Sequence, residues 1–580
     1  MDRNTLSRIL LYVSIFFLAK SGYDYFYGKK QGEKPIPVVE TYARVPLPLG
    51  TPAGETCKVT TPTYEATVAE IGGGLSSFRL LDGKYAEKGE PMDLAHATSI
   101  DLSKHEIPEY TPLRTFFRNG AGEDQIPGDL LSFAAKKVGD ACVLTHVTPG
   151  VVEVTRTLRP GAGPYELSIE THVKNLASSP KRHAFSTAVF GLQRKEDEGG
   201  FMQRPSQNAL FQGACGVTGG GKLDRKDKNA LEKEWTIQSA PIDFAALSTN
   251  YFGQAIVPED TGAHCALVAQ ARYAAIDANN KPVGDPIQSL LRAVVAYPSA
   301  ELLPNAEAVY KQTAFLGPKE RNLLAGALGG RHGLTRLIDL GTFSQIAMIL
   351  VAFLTFLHLK IGSWGIAIVL MTLTVRLSLA PLMIPQIKSS IVMQRLKPEI
   401  DVINAKYAED PQAKMTATQA LYKREGINPM LGCLPALLQM PIWLSLYTAL
   451  QTAIELFHEK FFIWQDLSAP DPYFILPLVL GASMFIQQKV TPMQMDPTQA
   501  KIMLYFMPGM FMVFMLFLPA GLAMYSLTNS LLGITQTIVM QRYMKSQGGP
   551  PSAVVVKPSV KEDDAPPSGP RSARELARRR

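Results

Sequence analysis

Residues 364–385 read WGIAIVLMTLTVRLSLAPLMIP, and the fold turns on how this stretch is read. A helix of about 20 mostly apolar residues crosses the hydrocarbon core of a bilayer. This one carries Arg376 a little past its midpoint. An arginine near the centre of a spanning helix costs roughly 2.5–3.5 kcal/mol on insertion scales, so it implies a use or a partner. Thr372 lies one turn earlier on the same face. Everything else in the chain bears on what Arg376 faces: lipid, another side chain or water.

The chain has 580 residues and a formal net charge of +7. Its mean hydropathy is near zero, an average of two unlike parts. The first half is mixed and punctuated by Gly and Pro, whereas residues 344–543 hold long uncharged apolar runs. The contrast describes an integral membrane protein with a large soluble domain. The basic excess sits on loops flanking the membrane and on the tail, not on one nucleic-acid-binding face. The five cysteines, at 57, 142, 215, 265 and 433, form no CxxC and no Cys/His cluster with zinc spacing. The first four lie in the soluble domain, where a disulfide is open and all four pair in three ways. Cys433 reads as a small apolar packing residue.

Residues 1–27 hold the apolar run LSRILLYVSIFFLA behind Arg3 and Arg8. No small-x-small cleavage site follows it, and Tyr23, Tyr25, Phe26 and Tyr27 form an interfacial belt. This is an uncleaved signal anchor with its N-terminus in the cytoplasm. A Pro/Gly/Lys linker occupies 28–55. Residues 56–325 change to short alternating runs such as CVLTHVTPGVVEVTRTLR from 142, separated by turn residues, and predict a large β-sandwich. It contains no GxSxG, HExxH or P-loop, so no enzyme is indicated and no cofactor or metal is implied. Gly72-Gly73-Gly74 reads as a turn or bulge.

Residues 326–363 connect the sandwich to the membrane. Within them SQIAMILVAFLTFLHL from 344 is apolar but short for a span. The segment 386–428 and the tail are rich in Lys and Arg, which places both in the cytoplasm. An even number of spans then separates the N-terminus from 386–428. The anchor is one, 364–385 is the second, and the run from 344 lies along the outer interface. Residues 386–428 predict an amphipathic helical hairpin broken at Glu409-Asp-Pro-Gln, with Pro398 expected to kink or divide its first arm. Residues 429–543 supply spans three to six, and 544–580 form a disordered basic cytoplasmic tail. The fold class is thus a six-span α-helical membrane bundle joined to a large all-β domain outside the cytoplasm.

The spans carry polar residues at depth: Thr372, Arg376, Gln439, Gln487, Gln488, Ser526, Thr528, Asn529, Ser530 and Gln536. Unsatisfied polar groups are expensive in lipid, so these share a polar surface between helices. Interhelical hydrogen bonding accounts for any one Ser, Thr or Gln. It does not account for Arg376, because no Asp or Glu lies within a span to neutralise it, and a water-filled cavity fits better. Met440 and the many methionines of 503–540 suit either adaptable packing or a slide for varied apolar segments.

Four strings carry a family resemblance: VRLSLAPL around Arg376, KREGINPMLGCLPALLQMPIW from 423, DLSAPDPYFILP from 466 and PAGLAMYSLTNSLLGITQ from 519. With LTRLIDLGTF from 334, they resemble the YidC membrane protein insertases of Gram-negative inner membranes, over nearly the whole chain. The resemblance implies a five-span insertase core behind the anchor and a periplasmic sandwich. It implies a hydrophilic groove open to the cytoplasm and to lipid and closed outside. The implied substrate groove includes Arg376, Thr372, Gln439, Met440, Trp443, Gln488, Tyr525, Ser526, Ser530 and Gln536. Ser526 departs from the pattern, since some relatives carry a second tyrosine there. Implied partners are nascent membrane proteins, the Sec translocon and the lipid bilayer; the basic hairpin and tail fit either contact with the ribosome or a tail that is simply solvated. The chemistry of Arg376 also fits a second class, an ion or solute transporter using it as an anion site, and a third is a scaffold whose sandwich binds a ligand.

Overall fold

In the computed structural model, the described residues are 57–86, 89–95, 111–118, 131–195, 210–219, 223–238, 241–260, 262–276, 282–425, 434–490 and 502–546. The anchor (1–27), the linker (28–55) and residues 547–580 of the tail lie outside them, as does Cys433. The chain divides into two units, residues 1–339 with 452–455, and residues 340–451 with 456–580.

The first unit is the β-domain. Its largest sheet has nine strands in the order Arg225–Asp227, Gln212–Val217, Ile242–Ser248, Phe252–Pro258, Glu307–Pro318, Glu166–Asn175, Val152–Pro160, Ala141–Thr148 and Ala134–Val138. A second sheet orders Thr236–Gln238, His264–Ile276, Pro282–Ala296, Lys181–Arg194 and Ala300–Leu302, with Arg114–Arg118 added against Lys181–Arg194. Lys58–Thr60, Tyr64–Val68 and Leu75–Leu80 make a third, small sheet. All recorded strand pairs are antiparallel, and alternation sets their faces: in Val152–Pro160, Val152, Val154, Arg156 and Leu158 point inward. The sandwich expected from the sequence is therefore present, in two large sheets.

Two disulfides join it, Cys57–Cys142 and Cys215–Cys265. The second ties strand Gln212–Val217 of one large sheet to strand His264–Ile276 of the other. Sequence spacing left the pairing open; the strand register decides it. His183 is buried in an aromatic cluster with Phe117, Phe185 and Tyr310, and its Nε2 lies 2.6 Å from the Tyr310 hydroxyl. Burial pushes its pKa down to about 4. The domain's last segment, Leu334–Ile338, is fastened to the sheets. Arg336 Nη2 donates to Asp243 Oδ2 at 2.5 Å, Arg225 donates to the carbonyls of Arg336 and Ile338, and the buried Lys319 Nζ donates to the Leu337 carbonyl at 3.2 Å.

The second unit is helical. Helix α1 is Ser344–Ile361, α2 Trp364–Lys406, α3 Pro411–Arg424, α4 Leu434–Thr452, α5 Ile475–Val490, α6 Met507–Met515 with a π-turn over Ile502–Phe506 before it, and α7 Ala520–Ser546. Gly362, at φ 77, closes α1 by donating its N–H to the His358 carbonyl, a left-handed cap that suits glycine. At 18 residues, α1 is longer than the apolar run suggested, and α1 and α2 are both long and apolar enough to cross a membrane. Helices α4 and α7 have the length, but polar residues interrupt them, and α5 is shorter.

Pro398 does not divide the hairpin's first arm, and the helix of the spanning stretch continues past residue 385. Helix α2 runs 43 residues from the spanning stretch through the hairpin arm, with Pro381, Pro385 and Pro398 inside it. A turn after α2 leads into α3. Tyr407 ends α2, and the Asp410 carboxylate caps α3 by accepting from the N–H groups of Gln412 and Ala413, both at 3.0 Å. Leu396 and Ile400 then pack on Leu421, with Ile403 and Tyr422 beside them.

Candidate functional site: a polar seam between helices

Helix α7 packs against both α2 and α5. Its residues 526, 530, 533 and 537 fall on one helix face by their spacing of three to four. Here that face is Ser526, Ser530, Gly533 and Thr537, all buried. Small residues of this kind are what packed helix faces in membranes carry. They let neighbouring helices approach closely and offer hydroxyl groups to them.

The neighbours answer with polar groups. Arg376 of α2 donates from Nη1 to Asn529 Oδ1 at 3.2 Å. Gly533 makes room for this guanidinium: a β-carbon there would lie 2.7 Å from Arg376 Nη2 and 3.1 Å from Gln487 Nε2. Ser530 Oγ donates to Gln487 Oε1 at 3.0 Å, and Ser483 Oγ donates to Ser530 Oγ at 3.0 Å. Across the other flank, Gln439 Nε2 of α4 donates to the Tyr525 hydroxyl at 3.1 Å. Arg376 Nε, Ser526 Oγ and Gln536 Oε1 are buried with no hydrogen-bond partner among the described residues. No described carboxylate pairs with Arg376, so its charge meets only neutral dipoles.

The structure brings together most of the residues singled out in the sequence. Arg376, Gln439, Tyr525 and Ser530 join the seam directly, and Ser526 and Gln536 belong to α7 beside it. Thr372 is buried one turn from Arg376 but donates to the Ile368 carbonyl of its own helix at 2.7 Å. Met440 is exposed, and Trp443 stacks on Tyr447 and leans on Phe511. Among the described residues no side-chain bond joins Gln488 to the seam; its neighbour Gln487 turns toward Ser530 and Gly533. Asn529 and Gln487, read in the sequence as polar residues at depth but not among the implied groove residues, complete the seam with Ser483, which the sequence did not single out. Arg376 also finds a side-chain partner, Asn529, where the sequence pointed to water alone.

Burial is graded along the helices. Trp364, Ala367, Ile368, Met371 and Thr372 are buried in α2, whereas Leu377 beyond Arg376 is 63% exposed. In α7, positions 520–526 are all buried and exposure begins at 527. Leu446, Ala449 and Leu450 are buried toward the C-terminal end of α4, and Leu476 and Leu480 toward the N-terminal end of α5. These packed ends meet: Gly521 lies against the side chains of Ile368 and Leu456, and Ala520 donates its N–H to the Ala469 carbonyl at 2.8 Å. The seam is thus shut at one end and loosens toward the other.

Beside the β-domain stands a helical unit in which two of the described helices are long and apolar enough to cross a membrane and an arginine and several amides lie between helices, the class of a protein with a polar seam inside an apolar bundle. The comparisons agree and go further. Residues 356–547 match the family described as 60Kd inner membrane protein, and residues 56–353 match the YidC periplasmic domain. The chain is 32% identical over 510 residues to the membrane protein insertase YidC of Anaeromyxobacter dehalogenans, covering 86% of each chain. It is 32% identical over 527 residues to that of Nitratidesulfovibrio vulgaris, covering 88% of this chain and 91% of the relative. A crystal structure of an active YidC insertase with its first transmembrane domain resolved is similar at 20% identity and a TM-score of 0.34, covering 84% of this chain and 93% of that one. This chain belongs to the YidC family of inner-membrane protein insertases.

Proposed function

We propose that this chain moves apolar segments of nascent membrane proteins from the cytoplasm into the inner membrane, along the polar seam around Arg376. The observation that carries this reading is the conjunction of a buried arginine with no carboxylate partner among the described residues and a bundle whose described residues are buried at one end and more exposed at the other. A substrate presents an apolar segment and a short polar tail. Crossing strips the tail of water, which is costly. A cavity lined by Arg376, Asn529, Gln487 and Gln439 offers dipoles and one positive charge partway across, and Arg376 attracts acidic residues of the tail. Breaking its one long hydrogen bond to Asn529 frees the guanidinium for that role. The apolar segment leaves between α4 and α7 past Met440, driven by its own transfer into lipid at about 25 cal/mol per Å² of apolar area. No nucleotide is required for that step.

Charge parity sets the topology of this reading. The anchor and α2 are the first two spans, α1 lies along the outer interface, and α4 to α7 supply the remaining four. The hairpin of α2 and α3 and both termini are then cytoplasmic, and the β-domain is periplasmic. The basic hairpin and tail contact the ribosome, and the Sec translocon takes part for larger substrates. The test is insertion of a small protein with an acidic N-tail into vesicles containing the purified chain. Arg376→Ala should lower insertion at least tenfold, since a hydrogen bond to a charged group is worth about 1.5–3 kcal/mol and a tenfold change is about 1.4. Arg376→Lys should retain most of it. Full insertion by Arg376→Ala, with loss of anion flux instead, would favour the transporter.

A further inference from the structure

The most exposed large apolar side chain among the described residues is Phe462, at 84%. It belongs to no helix. It sits at the tip of a two-residue turn between α4 and α5, closed by Phe461 and Trp464: the Phe461 N–H donates to the Trp464 carbonyl at 2.8 Å and the Trp464 N–H to the Phe461 carbonyl at 3.0 Å. Phe462 holds φ at 50, in the left-handed region. Two-residue turns place Gly, Asn or Asp at such positions, and a bulky residue there is an outlier. Ile463 beside it is also exposed. A strained backbone that thrusts an aromatic side chain outward points to something that receives it.

The frame below the tip is fixed. The Asp466 carboxylate accepts from the N–H groups of His458, Ser468 and Ala469 and from the Ser468 hydroxyl. The Leu467 N–H donates to the Glu459 carbonyl at 3.0 Å. The Phe461 ring lies flat on Gly365 of α2, where a β-carbon would come within 2.1 Å of it. The tip is therefore a rigid projection. Further along the chain Tyr473 and Phe474, and on α5 Leu478 and Val479, are exposed as well. Exposed Lys460 adjoins the tip on the polar side.

We infer that the 460–464 turn is a monolayer anchor, which inserts Phe462 and Ile463 among the acyl chains of the leaflet nearest the packed end of the bundle and sets Lys460 against lipid phosphates. Lipid is the occupant because exposed aromatic and aliphatic side chains, Phe462 and Ile463, stand beside the exposed Lys460, which matches the chemical layering of a bilayer interface. The inference rests on the family assignment only for the presence of a bilayer.

The test places a nitroxide at Phe462→Cys or at Gln465→Cys, in the full chain carrying Cys433→Ser, within phosphatidylethanolamine/phosphatidylglycerol vesicles. Power saturation compares collision with oxygen, which concentrates in hydrocarbon, against a water-soluble nickel complex. The oxygen-to-nickel ratio at 462 should exceed that at 465 by at least about fivefold. Phe462→Gly relaxes the backbone and keeps the fold, so a nitroxide at Ile463→Cys in that background should move toward the ratio found at 465. Equal ratios at 462 and 465 in the parent overturn the inference, as does a water-exposed tip that becomes protected only when another protein is added. Insertion activity is not the readout, so a failed anchor leaves the insertase reading standing, and the reverse also holds.

Discussion

Removing either disulfide should loosen the β-domain by an amount that the loop lengths set. The bridges close segments of 85 and 50 residues. In the chain-entropy treatment a cross-link stabilises by restricting the unfolded chain, which gives ceilings of about 4.6 and 4.1 kcal/mol at 25 °C for these two loops. Measured bridges usually contribute about 2–4 kcal/mol. The loops 57–142 and 215–265 do not overlap, so their restrictions should add. Both cystines are buried, so serine replacements also leave hydroxyls in apolar surroundings, which deepens the loss. The assay is pulse proteolysis of the full chain in detergent across a urea series, following cleavage within the β-domain. Cys57→Ser with Cys142→Ser, or Cys215→Ser with Cys265→Ser, should each lower its unfolding free energy by about 2–4 kcal/mol with little change in urea dependence. Removing both should take the domain close to unfolded at 37 °C, since whole-domain stabilities are only about 5–15 kcal/mol. A cost below about 0.5 kcal/mol for either pair would refute the argument, by showing that the bridge restricts little in the unfolded chain.

Other outcomes follow from single residues. His183 is neutral and buried, with its folded pKa lowered to about 4 against about 6.5 unfolded. The unfolded chain binds the proton first, so stability is fully present above pH 6.5 and falls by about 3 kcal/mol as pH drops through 4; the same urea series from pH 7 to 4 should show it, and His183→Gln should flatten that share of the slope. Gly533→Val should push Arg376 and Gln487 off their seam positions, lowering insertion of an acidic-tailed substrate about as far as Arg376→Ala while the helices keep their thermal stability by circular dichroism. Asp410→Ala removes the α3 cap and should cost about 1 kcal/mol, seen as faster amide hydrogen exchange over residues 411–416 but not in the β-domain.

The sequence carried much of this architecture because each level agreed with the next. Alternation in the soluble half marked strands, long apolar runs marked helices, and Arg376 announced a polar interior before any geometry was known. The hairpin was legible because Asp410-Pro411 is a helix start and the apolar residues on both sides keep a helical period. The disulfides were not, because pairing depends on which strands become neighbours across two sheets. Gln487 and Gln488 share one chemistry and differ only by about 100° of helix phase, which the sequence does not set. Pro398 does not divide the helix although proline lowers local helix preference, and Leu396 and Ile400 on either side of it pack on Leu421. Phe462 drew no notice, since an aromatic residue in an apolar stretch is ordinary until its exposure and backbone angle are known.

The continuity of α2 has a mechanical meaning. One rod joins the shut end of the bundle, near Trp364, to the hairpin at Lys406, with Arg376 near the first third. From Arg376 to Lys406 the rod is about 45 Å long, so a pivot of only about 5° at the arginine would swing the hairpin by about 4 Å. Pro381 and Pro385, each lacking a backbone N–H, weaken the rod just past the arginine and give such a pivot a place to form. On the proposed function, a chain that leans on the hairpin would thereby tug on the guanidinium's hold on Asn529, so that contact at the hairpin and readiness of the polar interior become a single movement.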